Sequence, residues 1–191
     1  MYANIYIAIL EQSRGVNMNQ TLWEKCVDFH GHQCPGLAIG FRAAEAAGEK
    51  MGLSFSKDEE VVCITENDAC GVDAVQVITG CTLGKGNLIY KPTGKMAFTF
   101  MSRKTNKAMR FMLKSMPGDM SREEKQFFIL EGPLDQVFDY KEVELDLPER
   151  AKRFANIKCE KCGENAPEHK IRIEEGKKLC LDCAHSYSRG W

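Results

Sequence analysis

The stretch Phe29-His30-Gly31-His32-Gln33-Cys34-Pro35-Gly36-Leu37 decides how the rest of the chain is read. Two histidines and a cysteine occupy alternating positions, and a Pro-Gly pair then opens a long apolar segment. If residues 30–34 run extended, alternate side chains point the same way and all three donors face one spot. Proline disfavours helix for the residue before it and suits the first helical turn, where its missing N–H is not needed. Cys34 is therefore expected at a helix N-cap, where the helix dipole favours thiolate over thiol. Imidazole and thiolate donors suit zinc, iron, nickel or copper and argue against magnesium or calcium.

Before this stretch, Leu22, Cys26 and Phe29 fall at helical spacing behind Thr21, which the pattern makes the cap. After it, Leu37, Phe41, Ala44, Ala47 and Met51 predict a central core helix stopped by Gly52. Its many small residues suit close packing. Residues 60–65 read as a buried strand running into Glu66-Asn67-Asp68-Ala69-Cys70-Gly71, followed by a short helix that ends at Gly80. Residues 88–91 and 95–101 alternate as two strands, with Pro92-Thr93-Gly94 as a hairpin turn between them. Residues 104–116 read as a helix stopped by Pro117-Gly118, and residues 121–130 as another, with a Ser121-x-x-Glu124 capping box. Residues 140–147 alternate again, placing Val143, Leu145 and Leu147 on one face. Helices and strands mix without a strict βαβ rhythm, so the fold class is α+β. The expected organisation is an N-terminal extension over 1–18, a core domain over 19–148, and a linker with a small finger over 149–191.

Length and charge narrow the function classes. The chain has 191 residues and a net charge of −1, enough for one full-sized domain plus a small one and no strong electrostatic partner. Ten basic and seven acidic residues from Glu149 onward make the tail only mildly positive, and no base-stacking aromatics are interleaved with them. The reading therefore points away from nucleic acid. Residues 1–10 are apolar but lack a basic flank and are too short to span a bilayer, so no signal or membrane segment is placed there. Met18 is an alternative start, which would make residues 1–17 either an added strand or an overlong beginning. The nine cysteines are odd in number and partly arranged as CxxC, which fits metal sites in a reducing cytoplasm better than disulfides.

Cys159-x2-Cys162 and Cys180-x2-Cys183 are separated by seventeen residues, spacing that suits a zinc ribbon or treble clef with four thiolates on one ion. A hairpin about Glu175-Gly176 would join the two halves. Four thiolates close the coordination sphere, so this zinc is structural. Cys70 sits, like Cys34, on a loop entering a helix, and a lowered thiol pKa is expected for it too. The loop Gly80-Cys81-Thr82-Leu83-Gly84-Lys85-Gly86 fails the phosphate-loop pattern, but Lys85 with exposed amides suits a substrate carboxylate.

Three blocks, occurring in order, carry a family likeness. Residues 29–40, Glu66-Asn67-Asp68-Ala69-Cys70-Gly71-Val72-Asp73-Ala74-Val75-Gln76 and residues 80–88 resemble the formylmethanofuran dehydrogenase FmdE family. The tail resembles the zinc finger found on some members and, more generically, DksA/TraR fingers. The resemblance implies an α+β core with a metal or thiol site, and an association with a molybdenum or tungsten enzyme. The core metal candidates are His30, His32, Cys34 and Cys70; Cys34, Cys70, Asp68 and Lys85 are the catalytic candidates. The resulting expectation is a cytoplasmic, homodimeric metal-binding protein, with zinc in the finger and a second transition metal in the core. Its role would be accessory or catalytic in one-carbon metabolism, as a component of formylmethanofuran dehydrogenase or an accessory to it. The alternative is a regulatory module whose finger docks on a protein or nucleic acid.

Overall fold

Strand β1 (Val61–Thr65) lies inside a five-stranded sheet that runs in the order β2 (Leu88–Tyr90), β1, β3 (Ala97–Ser102), β4 (Lys107–Leu113) and β5 (Phe138–Glu142), and the site is built at its carboxyl end. A computed structural model describes residues 18–116 and 118–186 of the chain. It divides into two compact units, Met1–Arg150 and Ala151–Trp191. In the first, β1 pairs in parallel with β2, and helix α3 (Gly71–Thr79) crosses between them as a βαβ unit. The other pairings, among β1, β3, β4 and β5, are antiparallel. Helices α1 (Gln20–His30), α2 (Pro35–Met51), α3 and α4 (Arg122–Glu131) pack with one face of this sheet, and a one-turn helix α5 (Leu134–Val137) leads into β5.

The core between them contains Trp23, Leu37, Phe41, Val75, Phe98, Phe100, Phe111 and Phe138, all buried. Trp23 of α1 meets Phe41 of α2 edge-on at 5.3 Å. Each such side chain contributes about 1.5–3 kcal/mol on burial, before conformational entropy is subtracted. On the opposite face a smaller cluster of Val62, Met101 and Ala108 is covered by Val143 and Leu147. Among the described residues, no helix is long and apolar enough to cross a membrane.

Several sequence expectations are corrected here. The cap of α1 is Asn19, whose side chain accepts the Leu22 N–H at 3.0 Å, and Thr21 lies inside the first turn. Asparagine outranks threonine at this position. Residues 107–113 form strand β4, not a helix: Asn106 turns the chain in the left-handed region (φ 54°), and β4 then pairs back on β3. Its helix-forming methionines and lysine are overridden because Met109, Phe111 and Leu113 pack on the core. Strands β2 and β3 are not a hairpin but flank β1 on either side. The Lys91 and Gly94 N–H groups donate to the carbonyls of Thr65 and Glu66, so the intervening loop wraps over the end of β1. Beyond Glu142 the alternation persists without strand pairing, and Leu145 is half exposed, outside the outer cluster that Val143 and Leu147 cover. The expected N-terminal extension lies almost wholly outside the described residues.

In the second unit, β6 (Asn156–Lys158) pairs with β7 (Asn165–Pro167). A hairpin of β8 (Ile171–Glu174) and β9 (Lys177–Cys180) follows. Glu175 and Gly176 both take positive φ, as the two-residue turn requires.

Candidate metal centre

Helix α1 ends at His30 because Gly31 takes a left-handed conformation (φ 90°) and its N–H bonds back to Val27 O at 2.7 Å. The chain then swings through His32 and Gln33 to Cys34, which is extended and caps α2. The expected continuous extended run is therefore absent: a helix end and a glycine turn gather the donors instead. One ligand atom each from His30, His32 and Cys34 lies within 4.8 Å of the others. The Cys34 Sγ accepts the Leu37 N–H at 3.3 Å, so the first turn of α2 supports negative charge on sulfur. His30 Nδ1 lies 2.7 Å from an Asp73 carboxylate oxygen, and its Nε2 lies 3.9 Å from Cys34 Sγ. The two imidazole rings are 4.5 Å apart. Asp73 fixes His30 as the Nδ1–H tautomer and leaves Nε2 to face the cysteine, an arrangement typical of metal-binding histidines. Asp73, in the first turn of α3, is itself held by the Gln76 amide at 3.3 Å.

Cys70 lies beside Cys34 but outside the group of three donors that share one point. Helices α2 and α3 touch backbone to backbone: a Cβ on Gly40 would lie 1.8 Å from Gly71 O, and one on Gly71 would lie 2.9 Å from Gly36 O. A Cβ on Gly36 would lie 3.5 Å from Cys70 Sγ and 3.7 Å from Cys34 Sγ. The two cysteines thus begin two helices crossing through glycines. Burial, and then the Cys34 thiol, push the Cys70 thiol above its ordinary value, which corrects the expected depression. Cys70 precedes α3 in a helical conformation without capping it, so the dipole does not outweigh desolvation.

The other two candidates lie elsewhere. Asp68 is exposed on the loop leading to Cys70. Lys85 donates to Ser56 O at 2.7 Å and lies over the Phe55 ring, beside the end of α3, where the Ser56 N–H meets Thr79 O. A nine-residue helix separates it from Cys70, a span of about 13 Å. The remaining scattered cysteines are core residues: burial pushes the thiols of Cys26 and Cys81 up to about 12 and about 11, and that of Cys63 well upward. Sequence reasoning gave no role to Asp73 or to the Gly40–Gly71 contact. The visible signal for Asp73 was an acid in the first turn of the helix that Cys70 opens. Gln126 of α4 also donates to Gln33 at 3.3 Å, so α4 overhangs the histidine loop.

The donor set suits a transition metal. On tetrahedral zinc, with bonds of about 2.0–2.1 Å to nitrogen and 2.3 Å to sulfur, the two ligand atoms sit about 3.6 Å apart. The 3.9 Å between His30 and Cys34 is close to that. In the second unit, sulfurs of Cys159, Cys162, Cys180 and Cys183 also lie within 4.8 Å of one another, with Cys162 and Cys180 at 3.9 Å. The backbone N–H groups of Cys162 and Cys180 lower the Cys159 thiol to about 6, while the Cys180 thiol beside it pushes Cys183 up to about 12.

The family described as FmdE, molybdenum formylmethanofuran dehydrogenase operon, matches residues 29–166. The chain belongs to the FmdE family. The prokaryotic dksA/traR C4-type zinc finger family matches residues 152–189 of this FmdE protein, which identifies the four tail cysteines as a zinc finger. A "Probable S-adenosyl-L-methionine-binding protein" of Archaeoglobus fulgidus is 34% identical over 96% of the chain. The chain spans only 58% of that relative's length. The structure of a tungsten formylmethanofuran dehydrogenase FmdE-like protein from Syntrophus aciditrophicus is 26% identical with a TM-score of 0.64, covering 83% of this chain and 88% of that one.

Proposed function

We propose that this FmdE protein binds a transition metal, with zinc the best fit, through His30, His32 and Cys34 with Cys70 beside them. On this reading it serves as a small enzyme or accessory protein in one-carbon metabolism. The observation that supports it best is the convergence of three donors within 4.8 Å around a histidine whose tautomer Asp73 sets. A metal held there would act as a Lewis acid toward a water or substrate oxygen. The chain's own contributions are separate. Asp73 keeps the proton on His30 Nδ1, Leu37 N–H steadies charge on Cys34 Sγ, and exposed His32 leaves an approach from solvent. On this reading Cys70, beside Cys34, would move in to complete the ligand set or meet a substrate, and Asp68 is an exposed carboxylate on the loop leading to it.

The family relation supports association with formylmethanofuran dehydrogenase, and a homodimer in the cytoplasm fits the same reading. A second reading, favoured by the finger match, is that the tail unit docks this metal protein on a partner. Metal analysis of the full-length protein tests the first. We expect close to two metals per chain, falling to one in Cys34→Ala and His30→Ala. A wild-type ratio of one, unchanged in both variants, leaves the finger as the metal site and overturns the reading.

A further inference from the structure

The face of the sheet away from the helices carries a row of side chains that runs from apolar to basic. Ile89, Ile64, Thr99, Arg110 and Lys141 are successive register partners across β2, β1, β3, β4 and β5. Ile64 and Ile89 border the small outer cluster, which fixes the row on that face. Four of these residues, all but Ile89, line a cleft of about 560 Å³, together with Glu66, Lys91 and residues 142–145.

The charges in this cleft are poorly matched. Arg110 and Lys141 stand directly opposite each other on neighbouring strands, an arrangement that destabilises a sheet. Lys91 adds a third cation. The Glu66 carboxylate is already engaged, by Arg110 Nε at 2.6 Å and the Thr93 hydroxyl at 2.9 Å. Glu142 and Glu144 line the cleft, yet neither forms an ion pair with Lys91 or Lys141 among the described residues. Thr99, only 3% exposed, lies on the floor, and Ile64, Val143 and Leu145 supply an apolar wall.

We propose that this cleft binds a small organic anion, whose carboxylate or phosphate sits between Arg110 and Lys141 within reach of Lys91. Its apolar part rests on Ile64, Val143 and Leu145. An anion there turns the cross-strand repulsion into two charge-assisted contacts, and the strap of residues 142–145 closes one side. This site is separate from the histidine–cysteine cluster and does not depend on any metal being bound there.

Thermal unfolding of the full-length chain at constant ionic strength tests the idea, with inorganic phosphate and butanoate as probes and chloride as the balancing anion. The variant is Lys141→Gln, an exposed change that leaves the Glu66–Arg110 pair intact. Without probe, Lys141→Gln unfolds at a higher temperature than wild type, because the repulsion is gone. At about 20 mM probe, a low-millimolar Kd raises the wild-type midpoint by a few degrees, and the variant gains less than half as much. A larger gain with butanoate assigns a carboxylate ligand; a larger gain with phosphate assigns a phosphate ester. Equal shifts in wild type and Lys141→Gln with both probes would overturn the proposal.

Discussion

Gly40 is the residue on which the core site turns. Its missing side chain lets α2 rest against Gly71, and that contact brings Cys34 and Cys70 to the same side of Gly36. A methyl group at Gly40 would sit 1.8 Å from a backbone oxygen, which no side-chain rotation relieves. Gly40→Ala should therefore cost about 3 kcal/mol, at the upper end of overpacking effects, and release the core metal while the finger keeps its own. Gly48→Ala, on the same helix, is the control. Its Cβ would meet only Leu53 O at 3.8 Å, so a gain of about 0.4–1 kcal/mol is expected from a less flexible unfolded chain. Urea unfolding with metal analysis checks both; similar behaviour of the two variants would remove the helix crossing from the account. His30, His32, Cys34 and Cys70 could be picked out from residue type and spacing alone. Asp73 showed only as an acid in a first helical turn and Gly40 not at all, because their roles depend on a contact between helices that no local pattern encodes.

At the scale of elements, legibility followed how local the deciding interaction was. The Ser121–Glu124 capping box is formed as read, with Glu124 N–H to Ser121 Oγ at 3.1 Å and the return bond at 2.7 Å, because four residues contain all of it. The start of α2 at Pro35 and the stops at Gly52 and Gly80 were equally readable, being fixed by proline and by left-handed glycines. Residues 107–113 misled because Lys, Ala, Met and Leu favour helix, while their strand state is decided by pairing with β3 and β5. Residues 88–101 misled because a turn-like Pro-Thr-Gly served to cap β1 and not to join two neighbours. The segment entering β1 carries a pH prediction. The Glu60 carboxylate accepts the Asp58 N–H and the Ser56 hydroxyl, both at 2.9 Å, and these hold its pKa down to about 2 from 4.5. The folded state binds this proton more weakly than the unfolded state does. The stabilisation is thus complete above pH 4.5 and is lost as pH falls toward 2. Glu60→Gln should flatten the acid limb of stability against pH in that window, and an unchanged limb would contradict the assignment.

For the whole molecule, the two units should respond differently to metal removal. Among its described residues the tail has few buried apolar side chains, Leu179 among them, so it is expected to depend on its four thiolates, whereas the first unit has an extensive core of its own. A chelator strong enough to strip zinc should expose residues beyond about Ile157 to proteolysis and leave the first unit protected. Equal protection of both would show that the tail folds without metal. The central claim, that the histidine–cysteine cluster is a second and independent metal site, is tested most directly by anomalous scattering from crystals of the full-length protein. Data collected on either side of the zinc edge, and of other metal edges as metal analysis directs, should show two peaks per chain. One should lie among the four tail sulfurs, and the other among His30 Nε2, His32 and Cys34 Sγ, with Cys70 Sγ alongside. A single peak in the tail, with His30 still held by Asp73 and no anomalous density beside Cys34 after soaking with zinc, cobalt or nickel, would contradict the claim.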